Sequence, residues 1–309
     1  SLLAELLAKV LDVNLNGQTI YLKVFGLIFG FDERVDTTTG ELRYVCTLRG
    51  SLHKYKNLGA HNADRLYLPD LRRVLDELKE RYSIEPDCTQ LYSVEFGVNI
   101  RLPYSPQRVI NAIKTYKSKS FCPMGKVGLI YETALYDLKI YDKGKQCGVS
   151  GYENVLRIEI KATGKYLKSK YRGIVILRLS NLLDVGLWEC FESLLLKAID
   201  DTMIIEPVSG IQLTQKEKEL FTLFLGDGWR MLDRKKLHKK RVQLKELADR
   251  TGAFDLKKQI KKLVVEECQI LRTGDKRRLF ENERNDCKTT FLNKIEANFI
   301  EVDATNDGF

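Results

Sequence analysis

Histidine is scarce: the 309 residues hold only His53, His61 and His238. A His-rich metal centre or a Ser-His-Asp triad is therefore hard to assemble, and any metal chemistry has to rest on carboxylates. The seven cysteines, at 46, 88, 122, 147, 190, 268 and 287, stand singly with no CxxC pair. An odd, scattered set argues against a disulfide framework and a zinc knuckle, and fits free thiols in a reducing cytosol. No apolar run approaches the roughly 18–20 residues that cross a bilayer; residues 24–31 form the longest near-continuous one. Residues 2–11 are apolar but carry Glu5 and Lys9 without a basic leader, the pattern of a short helix and not of a signal peptide. A soluble, cytoplasmic protein with no membrane partner is expected.

What is present is a core and an uneven charge. Hydrophobic residues at 44% and charged ones at 30% exclude wholesale disorder, collagen-like and coiled-coil-only chains. The length suits one large domain or two. The net charge is +9, and residues 230–262, with thirteen Lys and Arg against four Asp and Glu, equal the whole imbalance. Arg234, Lys235, Lys236, Lys239, Lys240 and Arg241 put positive charge on nearly every side of one helix. A solvated face normally mixes signs, so these six are expected to contact nucleic acid.

Periodicity gives an α+β order. Residues 19–25, 42–48, 90–102, 136–142 and 155–161 read as strands. Asp70 is expected to cap a helix with Leu71, Val74, Leu75 and Leu78 on its buried side. Ser105-Pro106 opens another, with Val109, Ile110, Ile113 and Tyr116 as its stripe. Helical segments follow the apolar run 174–179 up to about residue 202. A break near 207–210 precedes a capping box, Thr214-x-x-Glu217, and basic helices running to about Leu271. Two domains follow: an antiparallel-rich sheet domain over 1–205 with helices on one face, and a helical basic module over 210–309 with an acidic, loose end at 296–309.

Strand alternation carries the chemical argument. Tyr92, Val94, Phe96, Val98 and Ile100 share one face of their strand, and Ser93, Glu95, Gly97 and Asn99 the other. Leu156, Ile158 and Ile160 oppose Arg157, Glu159 and Lys161; Leu138 and Ile140 oppose Asp137, Lys139, Tyr141 and Lys143. If the three strands share a sheet, Glu95, Glu159 and Tyr141 line one face. Two carboxylates plus a neutral ligand suit Mg2+ or Mn2+, beside which a tyrosine hydroxyl could attack a polarised phosphate. The bland alternative is an antiparallel sheet with one solvated polar face. In its Gly-Ala-His-Asn turn His61 is read as a cap of the next segment, and Arg157 as an ion-pair partner. Tyr136 and Asp142 fall on the core face by parity, while Tyr131 and Tyr152 lie in connections.

At these residues the chain resembles the filamentous-phage gene II/X replication endonucleases. Gly50-Ser-Leu-His-Lys-Tyr55 and Gly59-Ala-His-Asn62 are similar to that family's segment before its second conserved strand. Ser93-Val-Glu-Phe96 looks like its acidic strand, Leu138-Lys-Ile-Tyr-Asp-Lys143 like its nucleophile strand, and Leu156-Arg-Ile-Glu-Ile160 like its Arg-x-Glu strand. The tyrosine-acid-lysine element also resembles plasmid initiators of the Rep_trans type. The likeness covers roughly residues 43–185. It implies a ferredoxin-like, HUH-type sheet and a rolling-circle initiator that nicks and rejoins origin DNA, metal-dependently, through a 5′-phosphotyrosine link. Tyr141 would be the nucleophile, Lys143 a stabiliser of phosphate charge, Glu95 and Glu159 the metal acids, and His61 a ligand or proton-handling group. The His-hydrophobe-His pair of the wider superfamily is absent, so carboxylates must substitute. The basic module has no counterpart there.

The expected partners are origin DNA, duplex and single-stranded, with a host helicase as a further candidate. A relaxase for plasmid or element transfer would use the same chemistry. A non-enzymatic origin-binding or repressor protein would use only the basic helices. An RNA-binding sheet would want exposed aromatics where these strands place Glu, Asn and Lys.

Overall fold

The computed structural model describes residues 12–16, 19–35, 37–117, 119–171, 176–206, 212–226, 228–251 and 255–274. The expected helix at 2–11, the break at 207–210 and the acidic end at 296–309 lie outside these residues. The chain divides at Thr273/Gly274 into two units, of which the first holds the elements below.

The architecture is mixed α+β with antiparallel sheets. Strands β1 (Asp12–Asn16), β2 (Thr19–Val24), β3 (Leu27–Val35) and β4 (Leu42–Gly50) form a meander in that order. The long apolar run breaks at Phe25-Gly26, whose φ values of 47° and 84° make the tight turn that matches strand twist. Leu22, Val24, Leu27 and Phe29 are buried beside helices α1 (Leu52–Lys56) and α2 (Leu68–Tyr82). Phe29 meets Tyr82 with ring centres 5.3 Å apart. The cap of α2 is Tyr67 and not Asp70. Proline in the first turn starts the helix earlier, and Asp70 reaches back to accept from the Tyr67 backbone N–H at 3.3 Å.

The second sheet holds β5 (Ser93–Arg101), β7 (Cys122–Met124), β8 (Gly128–Glu132), β9 (Tyr136–Asp142) and β10 (Val155–Thr163), in the order β5-β10-β9-β8-β7, all antiparallel. Its apolar face buries Phe96, Val98, Ile100, Leu138, Ile140, Leu156, Ile158 and Ile160. Tyr92 departs from the expected stripe: it precedes β5 and is exposed. Helix α3 (Pro106–Ala112) starts at Ser105, whose hydroxyl accepts from Gln107 N, but it stops before Ile113. The β-branched Ile113-Lys-Thr-Tyr116 instead forms β6, paired with β11 (Thr202–Ile204).

Short helices α4 (Lys143–Cys147) and α5 (Gly164–Lys170) follow β9 and β10. Helix α6 (Val185–Asp201) covers the apolar face, with Phe191 stacked on Phe96 at 4.0 Å. Beyond it come α7 (Gln215–Leu225), α8 (Arg234–Thr251) and α9 (Asp255–Thr273). The capping box stands as expected: Thr214 N–H donates to Glu217 Oε2 at 2.8 Å and Glu217 N–H to the Thr214 hydroxyl at 3.4 Å. Helices α7 and α8 share a small core with Phe221, Phe224, Trp229, Leu244 and Leu247. Helix α9, which the sequence groups with that module, packs on α6 and β5 and puts Leu256, Ile260 and Val264 into the large core.

Candidate functional site

The polar face of the second sheet gathers the strands whose alternation pointed to chemistry. In register, Tyr141 stands opposite Arg157 and Lys139 opposite Glu159 across β9 and β10. Arg157 stands opposite Asn99 and Glu159 opposite Gly97 across β10 and β5. Antiparallel pairing puts opposed side chains on one face, so these residues form a patch three strands wide.

The patch is closely bonded. Tyr141 Oη donates to Glu159 Oε2 at 3.1 Å. Arg157 Nε donates to the same oxygen at 2.5 Å, and its Nη1 to Asn99 Oδ1 at 3.0 Å. Lys139 Nζ donates to Glu159 Oε1 at 2.9 Å and to Glu95 Oε2 at 2.8 Å. Glu159 is 3 % exposed and Tyr141 5 %, while the Glu95 side chain keeps 41 % of its surface. Glycines flank the two buried residues. A Cβ on Gly97 would lie 2.5 Å from Glu159 Cβ, and one on Gly128 would lie 2.3 Å from Tyr141 Cβ.

Burial and charge oppose each other here. Burial pushes the Glu159 carboxyl up, but Arg157 and Lys139 outweigh it and hold the group below the usual carboxylate range. Burial raises the Tyr141 hydroxyl, and Arg157 pulls it back only in part, so the phenol is protonated at neutral pH. Burial also acts to lower Lys139, but Glu159 and Glu95 more than restore it.

Residues 57–67, between α1 and α2, are fastened to this face. Asn99 Nδ2 donates to the Ala63 carbonyl at 2.8 Å, and Lys143 Nζ to Asn62 Oδ1 at 2.8 Å. Lys143 is fully buried, and its other partner is Gln146 Oε1 at 2.7 Å. With neutral oxygens as partners, burial and the nearby Arg157 bring its pKa down to about 8. Its Nζ lies 6.0 Å from the centre of the Tyr141 ring. Asp142, on the core face as its parity required, caps α4 by accepting from Lys145 N at 3.0 Å.

His61 does not join the carboxylates. Its Nδ1 accepts from Ala63 N–H at 3.4 Å and lies 3.7 Å from Asp64, the geometry of a turn. The more embedded histidine is His53, with Nε2 2.7 Å from Asp64 Oδ1 and its pKa lowered by burial. Asp64 also accepts from Lys56 at 3.0 Å and Asn57 at 2.6 Å. Burial raises the Asp64 carboxyl, but His53 and Lys56 pull it well below its ordinary value. Asp64 and Gln146 carry no sequence signal of their own, and Asn99 and Asn62 were legible only as a polar-face residue and as part of the Gly59–Asn62 segment, because their roles depend on a loop returning to the sheet. Tyr136 lies in the core, its hydroxyl 2.9 Å from that of Tyr116 and 2.9 Å from Lys117 Nζ.

Glu95, Glu159 and His61 do not fit a divalent ion as they stand. An ammonium lies between the two carboxylates, both Glu159 oxygens already take donors, and His61 faces Asp64. Among the described residues no group of three or more His, Cys, Asp or Glu is gathered to hold a metal.

On α8, Arg234, Lys235, Lys236, Lys239 and Lys240 are exposed. Arg241 differs: it is half-buried and donates to Thr115 Oγ1 at 3.0 Å. No helix among the described residues is long and apolar enough to cross a membrane. No family model, curated protein or solved structure matches the chain.

Proposed function

We propose that this chain nicks and rejoins one strand of origin DNA, with Tyr141 as the nucleophile, as a rolling-circle replication initiator or a relaxase of the same chemistry. The observation that carries the reading is the hydrogen bond from Tyr141 Oη to Glu159 among three cationic side chains, Lys139, Lys143 and Arg157. The likeness of these strands to the gene II/X endonucleases, and with it an HUH-type sheet, supports the same reading.

In the proposed step the phenolic oxygen attacks phosphorus while its proton passes to Glu159. The 3′ oxygen of the broken bond leaves and takes a proton from solvent, and the 5′ phosphate stays on Tyr141. The tyrosine ester conserves the bond's energy, so the free 3′ hydroxyl can reverse the step. Lys139, Lys143 and Arg157 oppose the charge that develops on the phosphate oxygens. Because Tyr141 is buried, a strand reaches it only as neighbouring groups yield.

Helix α8 supplies duplex affinity in this scheme, through phosphate contacts from Arg234, Lys235, Lys236, Lys239 and Lys240, all exposed. That exposure is also what a non-enzymatic origin-binding protein would use. The test is a supercoiled plasmid carrying the DNA that flanks the chain's own gene, incubated with Mg2+ or Mn2+. A nick and a denaturation-resistant protein–DNA adduct are expected from the unsubstituted chain and neither from Tyr141→Phe. Duplex binding without any nick would leave the non-enzymatic reading standing instead.

A further inference from the structure

We infer that Lys139 is the resident cation of the Glu95–Glu159 pair, an internal ammonium in the position a divalent metal would take, and that a metal ion enters only by displacing it. This assignment concerns the carboxylate pair alone and stands whether or not Tyr141 attacks DNA.

The placement follows from register. Lys139 is directly opposite Glu159, but Glu95 lies one strand further, on β5. Neighbouring strands are about 4.8 Å apart, so the ammonium must pass over β10 to reach Glu95. Gly97, opposite Glu159, puts no side chain in that path. The result is a single Nζ within 2.9 Å of an oxygen on each carboxylate.

Charge decides what else can bind. Of the groups bonded directly to one another, Glu95 and Glu159 contribute two negative charges and Lys139 and Arg157 two positive ones, so that bonded set is neutral as it stands. A dication added to it would leave an excess of two positive charges on a largely buried face. Without Lys139 the bonded set is net negative, and Glu95 leaves it open to solvent. A hard cation then meets two carboxylates, the ligand type it prefers. Glu159 carries the deeper half of such a site and Glu95 the accessible half.

The test is a Mn2+ titration of the full chain, with free ion followed by electron paramagnetic resonance. Lys139→Met should lower the half-saturating Mn2+ concentration about 10-fold or more relative to the unsubstituted chain, since it removes a unit charge in contact with the site. Adding Glu159→Gln to Lys139→Met should reverse the gain. Lys139→Gln, which retains N–H donors, serves if the methionine variant does not fold. A readout that needs no substitution is amine labelling mapped by mass spectrometry, in which saturating Mg2+ should raise modification at Lys139. The proposal is overturned if Mn2+ affinity is the same with and without Lys139. It is equally overturned if no variant binds the ion, or if labelling of Lys139 ignores Mg2+.

Discussion

Arg65 and Glu267, 202 residues apart in sequence, form a two-pronged ion pair, with Nε 2.6 Å from Oε1 and Nη2 2.8 Å from Oε2. Glu267 is a buried residue of α9, and Arg65 belongs to the segment that supplies Asn62 and Ala63 to the site. A late helix thus holds down a loop laid on the polar face of the second sheet. Glu267→Ala should loosen residues 57–67, at a cost of about 1–3 kcal/mol once the partial exposure of Arg65 is allowed for. Hydrogen exchange should quicken in 57–67 while β9 and β10 stay protected. Uniform exchange across the sheet would show that the pair does not act on the segment.

Lys143 gives a pH signature. Its pKa is about 8 in the fold, against 10.5 for an ordinary lysine. The unfolded chain therefore holds this proton more tightly, and stability rises with pH from about 8 toward 10.5. Thermal melts of the unsubstituted chain should gain in that window relative to Lys143→Met, in which the component is absent. Parallel curves for the two proteins would contradict the buried, cation-repelled lysine.

Glu159 gives a second signature of the same sign, in the acid range. Its carboxyl is held below the ordinary 4.5 by Arg157 and Lys139 against the effect of burial. That stabilisation is complete above about pH 4.5 and is lost as the pH falls through the lowered value. Glu159→Gln leaves two half-buried cations without their shared partner and should cost about 2–4 kcal/mol at pH 7. Denaturant melts at pH 7 and pH 3 should show the penalty shrinking in acid. A constant penalty would mean that the charge of Glu159 does not hold this cluster together.

The six basic positions read from sequence separate into two kinds. Replacing Lys235, Lys236, Lys239 and Lys240 by Gln should weaken duplex binding and flatten its salt dependence, by about 0.9 in log–log slope for each phosphate no longer neutralised. Arg241→Gln should mainly lower stability, because its guanidinium is bonded to Thr115. Fluorescence anisotropy at several salt concentrations tests both. An unchanged slope in the fourfold variant would make α8 ordinary surface.

Period-two alternation placed Tyr141, Glu159 and Glu95 on the polar faces of their own strands, and Arg157 on the same face as Glu159, because a strand with one apolar face carries that information locally; that the three strands share a sheet, the condition for one common face, comes from the fold. Helix starts at Ser105 and Thr214 were legible for the same reason. The stop of α3 was not: Ile113 and Tyr116 keep helical spacing, and only the distant partner β11 makes them a strand. Strands β7 and β8 were missed because they are short, so Tyr131, expected in a connection, lies in β8; β3 was missed because its apolar residues run on from β2 with only Phe25-Gly26 between them. Lys139 was read on the correct face, but its bond to Glu95 depends on strand order, which no local pattern encodes. Grouping α9 with the basic module likewise followed its charge, while its apolar stripe packs on α6 and β5.

The most direct test of the account is the chemical identity of the residue joined to DNA. Protein incubated with single-stranded DNA from the strand that it nicks would be denatured, digested with nuclease and protease, and the nucleotide-bearing peptide sequenced by mass spectrometry. The account predicts one modified peptide, carrying a 5′ phosphate ester on Tyr141, and none from Tyr141→Phe, which loses a single hydrogen bond worth about 1 kcal/mol and remains folded. An ester on Tyr131, Tyr136 or Tyr152, or cleavage with no adduct at all, would contradict it.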